Sequence, residues 1–533
     1  MGVLASSPVT RASTRITLTG LVLGAAVSCG SSGSSRSSSS SHTDSGARDA
    51  IAGDARSDAK TPDADAVHDA ARDTAHDTAD VVVDARSAEA GSRDAGAPYT
   101  WAPKPCSFYV AASGGSDTNP GTSALPFATL TALRSALRTA TPTNKVGCLK
   151  AGSGGSYLLP TPQAPLVLAA TLDDGETWES DPAGGVNSAV LDGDGSASCL
   201  IRTDANNITI DGLKLQHTTN NLTCHDDGTT SISNLTILNS DIGFNAAGTG
   251  SGGFPPCLMA NGAKGVTLKH NYVHDCASQG IGLFAYQAGL VLDDVVIDSN
   301  VVLRAVQSVP DGGAIYMIMV HNYTASSVVV SNNFVRDYGT ATVSRAHGIY
   351  FDEGSNHVVA KGNVIGAATA GSKLETGCLI ADGHDNRFEG NICDVGTTGF
   401  AWTGVWWYPG NELFTPENNT YTGNVVVSRF AGNQETSAYN VSGPSFVQIA
   451  SPAGDPVIRG NLFHNYGGGQ VRTDGNHVSD ADPVLADPLC SGSEYTLASG
   501  SPAFNAPVSF EPIVGGWGPP GFVVPPDVNR SCP

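Results

Sequence analysis

From about residue 189 onward, short apolar runs alternate with polar punctuation. Runs such as Val328-Val329-Val330 and His357-Val358-Val359-Ala360 are bounded by Gly, Asn and Asp; they are too short for paired helices and suit brief strands. A step of Asn followed by an aliphatic or aromatic residue recurs as HNYV at Asn271, SNVV at Asn300, NNFV at Asn333, GNVI at Asn363, GNIC at Asn391, GNVV at Asn424 and GNLF at Asn461. Its interval of about 30 residues is that of a solenoid or array. Three strands and their turns fill one such unit. The pattern predicts an all-β, single-stranded parallel β-helix with coils about 4.8 Å apart, inward aliphatics forming a continuous core and asparagines stacked at one turn. The asparagine column is therefore read as structural.

Aligning units on the glycine before one strand places Ile281, Ile315, Ile349, Cys378 and Val405 in an inward column. Gly282, Tyr316, Tyr350, Leu379 and Trp406 then form the outward one. Ahead of the repeat, Phe108–Leu137 reads as a strand, a Gly/Asn/Pro loop and a short helix with Leu130, Leu133 and Leu137 on one face. That helix is expected to cover the first coil, whose open edge would otherwise template aggregation. The β-helix with this N-terminal capping helix is expected over 99–480. A closing segment follows over 481–533, its Pro-rich end an irregular cap.

Residues 30–98 are rich in Ser and Gly, then in Asp, Ala, Arg and Thr, with hardly an aromatic. Such a segment buries too little apolar surface to offset its chain entropy and reads as a disordered linker. In residues 1–29, Arg11 and Arg15 precede an apolar run from Ile16 to Val27, the form of an export signal. Ala26-Val27-Ser28-Cys29 resembles a bacterial lipobox. The resemblance implies lipidation at Cys29 and a surface-anchored protein of the cell envelope, with secretion as the alternative.

Charge narrows the partners. With 50 acidic against 28 basic residues and a net charge of −22, the chain lacks the clustered Lys and Arg that nucleic acid demands. The imbalance also disfavours a polyanionic substrate, unless a cation or a local basic pocket intervenes. Ten cysteines follow Cys29, an even number that suits disulfides in an oxidising compartment. Near neighbours offer the pairs Cys106/Cys148, Cys199/Cys224, Cys257/Cys276, Cys378/Cys393 and Cys490/Cys532. No CxxC pair occurs, and no metal site is assigned.

The departures from repetition cluster between Asp311 and Asn391, in PDGGAIY, HGIYFDEGSN and DGHDNRFEGN. Asp311, Asp352, Glu353 and Asp382 are candidate catalytic carboxylates, since glycoside hydrolysis needs one carboxyl group to protonate the leaving oxygen and another to activate water or attack the sugar. Tyr316, Tyr350 and Trp406 offer aromatic surface to a sugar; His347, His384 and Arg345 offer polar contacts. Geometry sets a condition. Seven extended residues from Asp311 to the position opposite Asp352 would span about 23 Å, so the chain must bend at Gly312-Gly313 for Asp311 and Asp352 to meet. Without the bend, Asp352 or Glu353 with Asp382 is the better pair.

These three phrases resemble those of right-handed parallel β-helix glycoside hydrolases of the α-fucosidase and xylan-active type, within the pectate-lyase-like superfamily. The resemblance spans about Asn206 to Asn465 and implies Asp311 and Asp352 as the catalytic pair. A monomeric glycoside hydrolase acting on a polysaccharide, without cofactor, is the leading reading. The alternatives are a non-catalytic glycan-binding or adhesion protein, and a polysaccharide lyase in which carboxylates hold Ca²⁺ and Arg345 abstracts the proton.

Overall fold

The computed structural model describes residues 99–525, apart from the side chains of residues 144, 158, 224, 434–435, 438–439, 448–449, 472 and 478–479 and from residues 153–155, 159–164, 225–230, 247–254, 320–326, 370–376, 398–416, 433, 436–437, 440–447, 450–455, 473–477, 480, 486–494 and 506. Cys29, Val405, Trp406, Cys490 and Cys532 lie outside the described residues.

The chain folds as a right-handed parallel β-helix. Each coil contributes a strand to a first sheet, then a second, then a third, so neighbours within a sheet come from successive coils. Coil to coil, Val295–Asp298 pairs with Val328–Ser331 in the first sheet, Val301–Leu303 with Phe334–Arg336 in the second, and Ile281–Phe284 with Ile315–Ile318 in the third. All three pairings are parallel. Inward residues such as Val295, Ile297, Val330, Val335, Ile315 and Ile349 are buried in one continuous core.

The recurring asparagines sit at the turn from the first sheet to the second. The residue before each one has a left-handed backbone: φ is +58° at Ser299, +49° at Asn332 and +61° at Gly362. This lets the chain reverse within two residues. Asn333 Nδ2 donates to Asn363 Oδ1 (2.9 Å) and to the Ile297 carbonyl (2.9 Å), while its Oδ1 accepts from Asn300 N and Nδ2 at 3.0 Å each. The ladder runs unbroken from Asn271 to Asn461, as the repeat predicts.

At the N-terminal side, the helix Leu130–Thr139 is capped by Thr129, whose side chain accepts from Ala132 N. Its Leu130, Leu133 and Leu137 are buried against Phe108–Val110 and Val146–Leu149, the terminal strands of the first sheet. The C-terminal segment differs from the expected irregular cap. It runs back along the outer face of the second sheet: Tyr495 donates to Asp394 (2.9 Å), Trp517 packs on Phe334 and Phe522 on Tyr272. Val301, Phe334, Val364 and Ile392 face outward there and form a second apolar cluster with Ala503, Val508, Phe510 and Val524. Strand residues that are apolar on both faces need such a cover. Disulfides join Cys106 to Cys148, Cys257 to Cys276 and Cys378 to Cys393, as their spacing suggested.

Candidate active site

The site is built on the third sheet, where strands Ile281–Phe284, Gly312–Ile318, Ala346–Phe351 and Gly377–Ala381 lie side by side. Ile281, Ile315 and Ile349 point inward, and Gly282, Tyr316 and Tyr350 outward, as the alignment predicts. On the next coil the register differs by one residue from that prediction. Leu379 follows Ile349 and Ile380 follows Tyr350, not Cys378 and Leu379. An alignment anchored on glycine misplaces a coil whose glycine, Gly377, pairs with His347 rather than with Gly348.

The strand does bend, slightly further along than the sequence suggests. Gly312 and Gly313 both pair with the next coil as ordinary strand residues. The corner falls at Ala314-Ile315: these consecutive residues both enter the core, whereas neighbours on a straight strand point to opposite faces. Gly313 lies in the crook. A Cβ there would come within 2.7 Å of the Ile315 carbonyl oxygen and 2.9 Å of Tyr350 Cβ, so only glycine fits. The outer surface is therefore concave, with Asp311 and Arg345 on one wall and Tyr316, Tyr350, Asp352 and Asp382 on the other.

The second wall changes along the helix axis. Phe284 and Ile318 occupy one outward column. Asp352 N donates to the Met317 carbonyl (2.8 Å) and Asp382 N to the Phe351 carbonyl (2.7 Å), which extends the register one step and makes Asp352 and Asp382 the next members of that column. Two apolar side chains thus give way to two carboxyl groups. Beneath them, Met259, Phe284, Tyr316, Ile318, Tyr350 and Ile380 form an apolar cluster on the outer face. Tyr316 and Tyr350 are only 4% and 6% exposed. They are the dry floor of the corner and not the open aromatic platform the sequence suggested. Tyr286, which the sequence reading passed over because it lies beyond a strand end, is 44% exposed and stacks on Phe284 at 5.9 Å.

Low polarity and crowding set the protonation states. Burial, with the charges of Asp311 and Glu353 added, pushes the Asp352 carboxyl up to about 7, against the pull of the Tyr316 hydroxyl, which donates to it at 2.6 Å, and of Glu353 N. Asp382 is 1% exposed, and neither carboxyl oxygen has a hydrogen-bond partner among the described residues. Burial and then the charges of Asp352, Glu353 and Asp311 push it up to about 9. Glu353 is raised for the same reasons, burial first and then Asp311. Asp311 pairs with Arg345 at 3.2 Å, both partly exposed. The four predicted carboxylates therefore share one field, each raised group feeling Asp311.

The histidines part company. His347 is buried, and Gly377 N donates to its Nδ1 (3.1 Å), which leaves the ring proton on Nε2. Burial and the Arg345 charge push His347 down to about 3, so it is neutral and packs edge-on against Tyr350. His384 turns away from the corner to Asp385 (2.7 Å) and His357. Gln279 was also missed. Its side chain lies against Gly312, is buried, and its Nε2 has no partner among the described residues.

A Ca²⁺ shell of oxygens at 2.3–2.6 Å keeps its ligands within about 5 Å of one another. Among the described residues, no three of the corner carboxylates bring donor atoms within 4.8 Å of each other, so at most two could share an ion as they stand.

The chain is similar to several solved structures. The pectate lyase Pel9A matches with a TM-score of 0.44 at 14% identity, over 77% of this chain and 96% of that one. The PL6 family alginate lyase AlyGC gives 0.44 at 13%, over 75% and 59%. The GH136 lacto-N-biosidase from Eubacterium ramulus gives 0.35 at 11%, over 70% and 68%. No family model matches the chain, and no curated protein does.

Proposed function

We propose that this protein is a carbohydrate-active enzyme, a glycoside hydrolase working on a polysaccharide laid in the concave corner of the third sheet. The observation that carries this reading is the bend at Gly313–Ile315. It turns the wall bearing Asp311 toward the wall bearing Asp352, close enough for the Asp311 charge to act on the Asp352 carboxyl. Glycoside hydrolysis needs two carboxyl groups in different protonation states. Asp352, held near 7 and touched by the Tyr316 hydroxyl, suits the general acid, whose best pKa lies near the working pH. Asp311, paired with Arg345 at 3.2 Å on the opposite wall, suits the base or nucleophile. Asp382 is too buried to touch a substrate; it is a positioning group that stays neutral and so does not add a second charge beside Asp352. Tyr286 offers the exposed ring for stacking on a sugar face.

Elimination chemistry on a uronate fits the corner less well. Arg345, the base that reading needs, is engaged by Asp311, and no three of the described corner carboxylates come close enough to hold one Ca²⁺ together. The disulfides suit an oxidising compartment, in keeping with an exported protein anchored through Cys29. Reducing-sugar release from a panel of neutral and acidic glycans tests the proposal. Turnover by wild type that is lost in Asp311→Asn and Asp352→Asn supports it. Unsaturated uronide products, or tight glycan binding with no turnover, would replace it by the lyase or the binding reading.

A further inference from the structure

Beyond the corner, the turn from the third sheet to the first holds a second group of functional side chains. His357 and Asp385 share a register position on adjacent coils, two residues before the paired Val359 and Arg387. Both have left-handed backbones, φ +56° and +57°, so the turn repeats and their side chains leave it side by side. His384 joins them because it bridges to Asn356 on the preceding coil. One donor atom from each of His357, His384 and Asp385 lies within 4.8 Å of the other two.

The hydrogen bonds around this triad prepare it for a ligand. His357 Nδ1 lies 3.1 Å from Asn356 Oδ1, and His384 Nδ1 lies 2.7 Å from Asp385 Oδ2. The 2.7 Å contact sets a nitrogen of His384 and an oxygen of Asp385 side by side, so an ion that takes the place of the shared proton meets both at once. Asn418 Nδ2 in turn donates to Asp385 Oδ1 at 3.1 Å, which fixes the carboxylate. The group is open to solvent: His384 and Asp385 side chains are each 34% exposed.

We propose that His357, His384 and Asp385 bind a first-row transition-metal dication. The two-imidazole, one-carboxylate donor set favours Zn²⁺, Cu²⁺ or Ni²⁺ over Ca²⁺ or Mg²⁺. The ion ties the turn that follows Asp352 to the turn that follows Asp382, and so staples the two coils that carry the raised carboxyl groups. This inference does not depend on the corner being catalytic.

The test is calorimetric titration of ZnCl₂, and separately CaCl₂, into untagged full-length protein freed of metal by chelator. The expected result is one Zn²⁺ per chain with no Ca²⁺ at that site. His357→Ala and His384→Ala each weaken Zn²⁺ binding by at least about tenfold, while Asp352→Asn leaves it unchanged. Zn²⁺ should raise the melting temperature of the wild type and not of His384→Ala. Independently of any variant, Cu²⁺ bound to the wild type should show nitrogen coupling in its electron paramagnetic resonance spectrum. The proposal is overturned if the wild type takes up no Zn²⁺, if uptake survives replacement of both histidines or vanishes in Asp352→Asn, or if bound Cu²⁺ shows no nitrogen.

Discussion

Two turns of the same coil treat buried polar groups in opposite ways. At the turn from the first sheet to the second, each asparagine of the ladder is buried and bonded to its neighbours above and below. At the corner of the third sheet, Asp382 is equally buried and neither of its oxygens is bonded to a described residue. The ladder repeats because every coil needs the same turn, and a fully satisfied network stabilises it. The corner does not repeat. Its carboxyl groups occupy a column that earlier coils fill with Phe284 and Ile318. Burying them costs stability that a purely structural column would not spend. That contrast separates the part of the molecule that holds the fold from the part proposed to carry the chemistry.

The largest expected effect breaks the corner alone. Asp352→Asn should lower turnover by about 10²–10⁴-fold, the usual contribution of a general acid, with the melting temperature little changed. Equal loss of both would make Asp352 a structural residue. Breaking the ladder should do the reverse. Asn333→Ala removes four hydrogen bonds made by one side chain and should cost about 2–4 kcal/mol in denaturant unfolding, without a specific change in substrate affinity.

Gly313→Ala tests the hinge between the two regimes. Its Cβ would collide with the Ile315 carbonyl and Tyr350, so a loss of about 1–3 kcal/mol is expected, together with a larger fall in turnover as the walls move apart. A variant that stays fully active would show that the corner is not the site.

The protonated carboxyl gives a pH signature. Folding raises Asp382 from its ordinary value near 4 to about 9, so between those limits the folded state keeps a proton that the unfolded state has lost. Stability must then fall as pH rises through this window, by up to about 1.4 kcal/mol per pH unit. Unfolding of wild type and Asp382→Asn at pH 5 and pH 8 checks this; the variant should lack that share of the slope.

The smallest effect sharpens the assignment of the acid. The Tyr316 hydroxyl pulls the Asp352 value down. Tyr316→Phe should therefore move the basic limb of the pH–rate profile upward by about one pH unit or less, and an unmoved limb would remove Asp352 from the acid role.

The architecture was legible in the sequence alone. Strand length, asparagine period and the inward isoleucines are local, repeated signals, and repetition averages out error. It also marked Asp311, Asp352, Glu353 and Asp382 as exceptions to the repeat. What those exceptions become depends on contacts between coils. Whether Tyr316 and Tyr350 are exposed depends on the neighbouring coils that bury them, and the one-residue register change at Ile380 is set by pairing rather than by any local pattern. His384 looked like a member of the corner because it lies two residues from Asp382, yet a turn between them sends it to His357 and Asp385. The bend was legible as a need, and its position at Ala314-Ile315 was not. A corner is fixed by which residues the core can accept on both sides of it, and that is a property of packing between coils.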